Sequence, residues 1–423
     1  MPVDSLQVVL ELAASAEPGL VSSPGGRYLG FVIGGAVPAA VAADWLASAW
    51  DQNAGLYVCG PSAAVVEEVA GAWTAELLGL PAGVSFGFVT GCQMAHVTGL
   101  AAARYRVLAR VGWDVNDQGL IGAPAVRIFV GAERHGTVDR ALRLLGFGAA
   151  SIVSVAADAQ GRMVPSALRE ALALHDGPQI VCAQAGNVNT GSVDPLSEIA
   201  DFAHECGAWL HVDGAFGLWA AASPALRHLV AGADRADSWA TDAHKWLNVP
   251  YDSGIALCAD REAHQPAMSV RAGYLVHADS DGPRDQLDWN PELSRRARGF
   301  PVYAAIRSLG RAGVADLIAR CCAHARRFGE VLAADPFAEV LNDVVLNQVL
   351  VRFLDDAGDH DALTRAVIEA VQRDGACWLG GTTWHGIAAM RISVSSRATS
   401  SDDVERSLES IERAAAEARR SRS

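Results

Sequence analysis

Residues 208–217 read A-W-L-H-V-D-G-A-F-G, and residues 241–254 read T-D-A-H-K-W-L-N-V-P-Y-D-S-G. The first segment is an apolar run that ends in a carboxylate, Asp213, a pattern typical of a buried strand in a parallel sheet. In the second segment, Lys245 stands between a histidine and a tryptophan. Ligands of open α/β sheets bind beyond the carboxyl ends of the strands. The sequence therefore places Asp213 where a ligand would be held.

Asp213 and Lys245 are the two groups that pyridoxal phosphate (PLP) requires of a protein. The cofactor needs a carboxylate that keeps its pyridine nitrogen protonated and a lysine that binds its aldehyde as a Schiff base. Either residue alone would more often be a cap or a solvated surface group. Trp246 and Leu247 follow Lys245, and apolar neighbours are expected to lower the pKa of a lysine. We therefore predict that this pair binds PLP.

The composition limits the class of protein and its partners. A chain of 423 residues with 51% hydrophobic residues can form a large core and more than one lobe. The net charge of -14 argues against nucleic acid or an anionic membrane surface as a partner. The eight cysteines are scattered without the paired spacing of a zinc site. We predict reduced thiols, no bound metal, no membrane-spanning helix and a cytoplasmic location.

Strand and helix patterns alternate through the middle of the chain. Apolar, β-branched runs predict strands at 127–130, 151–155, 179–183, 208–212 and 254–258, and helical patterns occur at 39–50, 61–78, 94–111, 137–145, 166–174 and 195–206. This alternation predicts an α/β fold with a mainly parallel sheet that is covered on both faces.

The last third of the chain has a different character. Helices are predicted at 300–309 and 314–332, followed by strands and helices at 344–353, 360–373, 389–394 and 401–419. We predict an N-terminal arm (1–39), a large cofactor-binding domain (40–331) and a small C-terminal α+β domain (332–423). The glycine-interrupted apolar segment 31–35 is either a strand or packing arm, or a pocket wall.

The chain resembles the group II PLP-dependent amino acid decarboxylases, which include aromatic amino acid, histidine and glutamate decarboxylases. The resemblance extends from about residue 27 to residue 412, and its most specific part is H-K-W-L at residues 244–247. It implies the type I fold of PLP-dependent transferases, that of aspartate aminotransferase, with a large domain and a small C-terminal domain. It also implies a homodimer whose subunits share the active site.

The resemblance implies roles for residues around the cofactor ring. Lys245 would be the Schiff-base lysine, and His244 would contact the cofactor or the substrate. Asp213 would be the partner of the pyridinium nitrogen, and Ala215 the small residue packed under the ring. His135 would stack on the ring and orient the substrate carboxylate.

The phosphate is expected at residues 90–93, where a helix begins, because the amides of a helix N-terminus hold anions. Relatives usually have small residues here, whereas this chain has Cys92 and Gln93. The segment 187–190 aligns with a threonine-rich loop of relatives. The implied phosphate contacts are Gly91, Cys92, Gln93, Asn187, Asn189 and Thr190.

Further residues are implied to complete the pocket. Arg391 matches an arginine of the small domain that relatives need for activity. Phe31 and Val32 would line the substrate side, and Asn53 and Gly55 would approach from the partner subunit.

The step that returns a proton to the α-carbon depends on another position. In aromatic amino acid decarboxylases a tyrosine on a mobile loop is associated with this step. The aligned residue in the loop 282–294 is Gln286, which cannot donate a proton as a phenol does. Relatives without this tyrosine can release aldehydes. Alternatively, His135 or a water held by Trp289 and Asn290 would supply the proton.

We predict PLP-dependent decarboxylation of an L-amino acid to the amine and CO2. Phe31, Val32 and Trp289 favour an aromatic or apolar substrate side chain. The alternatives are an aldehyde-forming decarboxylase, an aminotransferase, and a carbon–carbon lyase, which would share the aspartate at position 242. A non-catalytic regulatory protein of this fold would normally carry a DNA-binding segment, which the sequence lacks.

Overall fold

The computed structural model describes residues 2–278 and 282–422, and eleven strands in this part of the chain form two sheets. The strands are β1 (Ser85–Val89), β2 (Arg127–Gly131), β3 (Ile152–Val155), β4 (Gln179–Gln184), β5 (Trp209–Asp213), β6 (Ser238–Asp242), β7 (Gly254–Cys258), β8 (Ala338–Val340), β9 (Gln348–Phe353), β10 (Gly380–Trp384) and β11 (Ile387–Ser393).

Helices cover both sheets. Within the described residues they are α1 (Ser5–Ala16), α2 (Pro38–Trp50), α3 (Pro61–Leu77), α4 (Cys92–Ala109), α5 (Val115–Gln118), α6 (Gly136–Leu144), α7 (Pro165–Ala173), α8 (Leu196–Glu205), α9 (Arg261–Met268), α10 (Gly299–Ala334), α11 (His360–Asp374) and α12 (Ser401–Arg420). Proline occupies the first position of α2, α3 and α7, where its missing N–H costs no hydrogen bond.

The seven-stranded sheet has the order β1-β7-β6-β5-β4-β2-β3. The pairs from β3 to β6 are parallel, and β7 runs antiparallel to both β6 and β1. The predicted α/β class with a mainly parallel sheet is therefore confirmed. Strands β4 to β7 are buried along their whole length, which explains their nearly continuous apolar sequences.

The smaller sheet is antiparallel, with the order β10-β11-β9-β8. Helices α11 and α12 pack against each other beside it. The two helices predicted at 300–309 and 314–332 form the single element α10, which is interrupted at Gly310 with φ 64° and ψ 176°. The predicted division at residue 332 stays a prediction.

Two differences from the sequence predictions affect the site. Strands β1 and β6 were not predicted from the sequence, and both end beside the cofactor segments. The segment 31–35 forms no strand, and Phe31 has a left-handed φ of 52°. None of the helices that the structure describes has the length and apolar character needed to cross a membrane.

The strand register brings the two motif segments together. Asp242 at the end of β6 pairs with Gly254, which in turn pairs with Val89 at the end of β1. A Cβ at Gly254 would lie 2.4 Å from the backbone of Gly91. Only glycine therefore allows the turn before α4 to approach the segment that carries Lys245.

Candidate active site

Lys245 is the only lysine among the 34 lysine and arginine residues of the chain. Its Nζ lies 2.8 Å from Oδ2 of Asp242. Burial lowers the pKa of Lys245, but the Asp242 carboxylate more than offsets this effect, and the pKa is raised above its ordinary value. The expectation that apolar neighbours lower this pKa is therefore wrong for this structure, because it omitted Asp242.

The loop that carries Lys245 is fixed by a buried asparagine. Asn248 has a left-handed φ of 56°, and its side-chain amide donates to the carbonyls of Lys245, Trp246 and Ser395. Gly34 lies so close to the Lys245 carbonyl that a side chain there would collide with it. The backbone of Lys245 is thus held between the N-terminal segment and the segment that follows β11.

Asp242 joins Lys245 to the start of α4. Its Oδ1 accepts the N–H of Cys92 at 2.6 Å, while its Oδ2 pairs with Lys245. The expected phosphate contact at the Cys92 amide is therefore occupied by a carboxylate in this structure. Gln93, in the first turn of the same helix, also lines the cavity, and its side-chain amide donates to the carbonyl of Thr137 at 3.2 Å.

Asp213 is buried at the end of β5 and faces several donors. The N–H of Ala215 donates to Oδ1 at 3.1 Å, the Cys92 thiol donates to the same oxygen at 3.9 Å, and His96 Nε2 lies 3.5 Å from Oδ2. Burial raises the pKa of Asp213, but the nearby His96, His135 and Lys245 outweigh burial and hold the pKa well below its usual range. Asp213 is therefore ionised.

The ligand atoms of Cys92, His96 and Asp213 lie within 4.8 Å of one another. A metal ion could use this spacing, so the expected absence of a metal stays a prediction.

His135 caps the N-terminus of α6. Its Nδ1 lies 2.8 Å from the Thr137 hydroxyl and accepts the Thr137 N–H at 3.3 Å. The proton of the neutral ring is therefore assigned to Nε2. The residue keeps exposed surface at the cavity, yet desolvation by the surrounding protein lowers its pKa, an effect that Asp213 opposes.

His244 and Arg391 also face the cavity. His244 Nδ1 accepts the N–H of Ser253 at 3.1 Å, and burial lowers the pKa of the imidazole. Arg391 on β11 donates from Nη1 to the carbonyl of Val188 at 2.7 Å. This bond holds a guanidinium from the small sheet at the cavity that Lys245 also lines.

These residues surround a cavity of about 340 Å³. The predicted residues that line it are Phe31, Val32, Gly91, Cys92, Gln93, His135, Asp213, Ala215, His244, Lys245 and Arg391. The sequence prediction missed Thr137, Gln184, Gly186, Val188 and Phe216, and it did not give Asp242 a role in the site. For the segment 31–35, the structure selects the pocket-wall alternative.

The predicted phosphate contacts at 187–190 are not brought to the cavity. Asn187 Oδ1 accepts the N–H groups of Asn189 and Thr190, and its amide donates to the carbonyl of Glu133. The Thr190 hydroxyl donates to the carbonyl of Gln160, and Asn189 Oδ1 accepts from Thr382. These side chains form hydrogen bonds within the loop and to neighbouring segments, because the loop turns at Asn187.

The structure also does not bring Gln286 and Trp289 to the cavity of their own chain. Gln286 is buried, and its amide donates to the carbonyl of Ala64 at 3.3 Å. The Trp289 ring packs between His264 and Arg284. Neither side chain lines the cavity of its own chain. The expected approach of Asn53 and Gly55 from a partner subunit stays a prediction.

The cavity residues fit PLP. A carboxylate held ionised and the single lysine line the same cavity, which is also lined by the small side chain of Ala215. In addition, Oε1 of Gln93 is buried without a hydrogen-bond partner among the described residues. A carboxylate and an amine are the groups that bind a cofactor with a basic ring nitrogen and an aldehyde.

The family model described as the pyridoxal-dependent decarboxylase conserved domain matches residues 31–354. The chain belongs to this family. Tryptophan decarboxylase 1 of Oryza sativa subsp. japonica is 29% identical over 414 residues, which cover 91% of this chain and 79% of the relative. L-2,4-diaminobutyrate decarboxylase of Rhizobium meliloti (strain 1021) is 30% identical over 385 residues, with 89% and 75% covered.

Solved structures agree with this assignment. The crystal structure of Oryza sativa TDC with PLP and tryptamine matches with a TM-score of 0.92 and 26% identity, covering 99% of this chain and 89% of that chain. The type I PLP fold is therefore confirmed. This pyridoxal-dependent decarboxylase is a PLP-dependent carboxy-lyase that acts on an amino acid. The comparisons do not favour the aldehyde-forming alternative.

Proposed function

We propose that this decarboxylase acts on an L-amino acid with an aromatic or apolar side chain and releases the amine and CO2. The observation that carries the proposal is the apolar part of the cavity wall, formed by Phe31, Val32, Val188 and Phe216. The Phe31 ring is itself stacked on Trp378 at a centroid distance of 5.7 Å. A flat or branched apolar side chain would be buried against this wall.

The charges of the cavity support the same substrate class. Among the described lining residues, Lys245 and Arg391 are the permanent cations, and desolvation favours the neutral forms of His135 and His244. Lys245 is assigned to the cofactor, and Arg391 would bind the substrate carboxylate. An acidic side chain would then lack a second arginine.

The roles of the chain's own residues follow from their positions. When bound, PLP supplies an electron-withdrawing ring that accepts the electron pair left by the departing CO2. Lys245 would hold the aldehyde, Asp213 would keep the proton on the pyridine nitrogen, and Ala215 would support the ring. His244 would close the side of the cavity next to Asp242.

We assign the return of a proton to the α-carbon to His135 rather than to Gln286. The proton of the neutral His135 ring is on Nε2, because Nδ1 accepts from Thr137. Gln286 is buried in its own subunit and has no proton of suitable acidity. A general acid must reach the reacting atom directly or through one water.

We also propose a homodimer with a shared site, together with the domain division given above. Helix α1 has no buried residue, and Leu6 is 65% exposed. Trp45 on α2 is 70% exposed. A 12-residue helix is marginal by itself in water, so a second copy would bury α1 and α2 and bring Asn53 and Gly55 to the neighbouring cavity.

The eight free thiols suit a reducing, cytoplasmic compartment.

The test of the substrate class is a kcat/KM panel with the PLP-loaded protein. L-tryptophan, L-phenylalanine and L-leucine are compared with L-glutamate and L-2,4-diaminobutyrate. We expect the first group to be preferred, and Phe31→Ala to reduce kcat/KM most for the aromatic substrates. Val65→Ala, at an exposed position on α3, is the control. A preference for glutamate or diaminobutyrate would overturn the proposed class.

A further inference from the structure

A chain of buried polar side chains extends from Asp213 into the core. His96 Nε2 lies 3.5 Å from Asp213 Oδ2, and His96 Nδ1 lies 2.9 Å from His211 Nε2. His211 Nδ1 lies 2.8 Å from the Ser238 hydroxyl, which accepts the indole N–H of Trp209 at 2.8 Å. All four residues behind Asp213 have zero exposed surface. We call them the His96 relay.

The hydrogens of the relay can be assigned by starting from Trp209, the residue farthest from Asp213. The Trp209 indole can only donate, so the Ser238 oxygen accepts and its own hydrogen is available for His211 Nδ1. His211 then carries its proton on Nε2 and donates to His96 Nδ1. His96 in turn carries its proton on Nε2, which faces Asp213. In this arrangement each hydrogen has an acceptor, and each donor points toward Asp213.

Burial favours the neutral state of His211. Desolvation and the neighbouring His96 lower the pKa of His211 to about 3, while Asp213 opposes that effect. A second donor reaches Asp213 from the same helix face, since Cys92 and His96 are four residues apart on α4. The Cys92 sulfur also lies 3.4 Å from His96 Nε2.

The backbone leaves space for the relay at one position. A Cβ at Gly99 on α4 would lie 3.0 Å from the His211 ring and 3.3 Å from the Ser238 hydroxyl. Glycine at this position therefore allows α4 to pack directly on the two side chains. Gly99, like His96, lies on the part of α4 that faces β5.

We propose that His96 is a positioning residue for decarboxylation, which His211 and Ser238 hold with its Nε2 proton directed at Asp213. This inference rests on the proposed role of Asp213 as partner of the pyridine nitrogen. Donors to a carboxylate lower its proton affinity. The proton shared between Asp213 and the ring nitrogen then stays on the nitrogen, where it makes the ring electron-withdrawing.

Other groups act on the same carboxylate. His135 and Lys245 face Asp213 from the segments after β2 and β6, Cys92 faces it from α4, and its charge acts on Cys182 of β4 and on Asp194. In the described residues, His96 is backed by a buried series of side-chain hydrogen bonds through His211 and Ser238 to Trp209. Such outer partners fix the tautomer and orientation of the histidine that they contact.

The test compares His96→Asn with His96→Gln. The amide nitrogen of asparagine occupies the position of the histidine Nδ1, so this variant loses the donor to Asp213. The amide nitrogen of glutamine occupies the position of Nε2, so this variant keeps the donor. The readout is the ¹⁵N chemical shift of the ring nitrogen in protein loaded with ¹⁵N-labelled PLP. We expect His96→Asn to move the signal toward the unprotonated nitrogen and His96→Gln to remain near the wild type.

Kinetics provide a second readout. For His96→Asn we expect kcat to fall about tenfold, the usual scale for a lost hydrogen bond to a charged group, with KM for the amino acid nearly unchanged. Ser238→Ala removes the hydroxyl with little change in volume, so it replaces His96→Asn if that variant does not fold, and it should shift the ¹⁵N signal less in the same direction. His204→Asn, at an exposed position on α8, is the control.

Two outcomes would overturn the proposal. Wild-type ¹⁵N shifts in both His96→Asn and Ser238→Ala would show that the relay does not govern the shared proton. An equal shift in His96→Gln and His96→Asn would show that packing, not the donor, matters. Failure of the wild-type protein to bind labelled PLP would instead contradict the proposed function, so the two failures are distinguishable.

Discussion

Asp242 Oδ2 and Lys245 Nζ lie 2.8 Å apart, so the lysine that should bind the cofactor is held as an ion pair. The pKa of Lys245 is raised because this pairing outweighs burial. Attack on an aldehyde requires the neutral amine. At neutral pH the chain without cofactor therefore keeps its only lysine mainly protonated.

Asp242→Asn should accelerate PLP loading and shift its pH profile to lower pH. At a fixed pH below the pKa, the fraction of neutral amine increases about tenfold for each unit by which the pKa is lowered. A lower pKa of Lys245 therefore gives more nucleophile at neutral pH. The asparagine keeps an oxygen for the Cys92 N–H. Stopped-flow absorbance after mixing PLP with the apoprotein measures the rate. An unchanged pH profile would contradict the inhibitory role of Asp242.

Borohydride reduction of the PLP-loaded protein should attach one pyridoxyl group, at Lys245. The reason is that no other lysine is present in the sequence, so peptide mass spectrometry has a single expected site. Lys245→Arg keeps the charge and should carry no label. Stable label at any other position would show that the cofactor is held differently.

Arg391→Gln should raise KM for the substrate by at least tenfold, because the arginine would contribute a charge-assisted bond to the carboxylate worth about 1.5–3 kcal/mol. The dissociation constant of PLP should change little. Arg391→Lys should recover part of the affinity, since it keeps the charge but not the planar fork. Arg365→Lys, on the exposed face of α11, is the control, and a change in PLP affinity alone would contradict the role.

Glu67→Gln should destabilise the protein strongly. Arg295 and Glu67 form an ion pair at 2.9 Å in which both side chains have no exposed surface. Removing one partner of a buried pair costs about 3–5 kcal/mol. Urea denaturation of the PLP-loaded protein measures the free energy of unfolding. Glu76→Gln, which breaks the exposed pair with Arg311, should leave it nearly unchanged, and equal effects would refute the assignment.

Trp45→Glu should convert the dimer into monomers and reduce activity, because it places a charge in the apolar surface of α2. Sedimentation velocity measures the change. Ile121→Glu alters another exposed apolar residue and should leave the assembly intact. A fully active monomer would contradict the shared site.

The sequence predicted the elements whose patterns are local. Strands β4, β5 and β7 are continuous apolar runs, and they lie within one residue of their predicted positions. Strands β1 and β6, S-F-G-F-V and S-W-A-T-D, contain glycine or polar residues and lack the β-branched run used to recognise strands. Their positions depend on pairing with β7, which a local pattern does not show.

The same distinction holds for the site. Lys245, Asp213 and His135 lie in recognisable motifs and line one cavity. His96 was missed because its function depends on α4 packing against β5. A signal was nevertheless present, since His96 follows Cys92 by one helical turn and His211 precedes Asp213 by two residues on the same strand face. Gln286 was placed by alignment of a loop, and alignment does not report burial.

The measurement that tests the central claim most directly is the ratio of CO2 to amine formed by the PLP-loaded protein from an aromatic or apolar L-amino acid. We expect equal amounts of the two products, and neither product from Lys245→Ala. CO2 accompanied by aldehyde instead of amine, or no CO2 from any L-amino acid, would contradict the account.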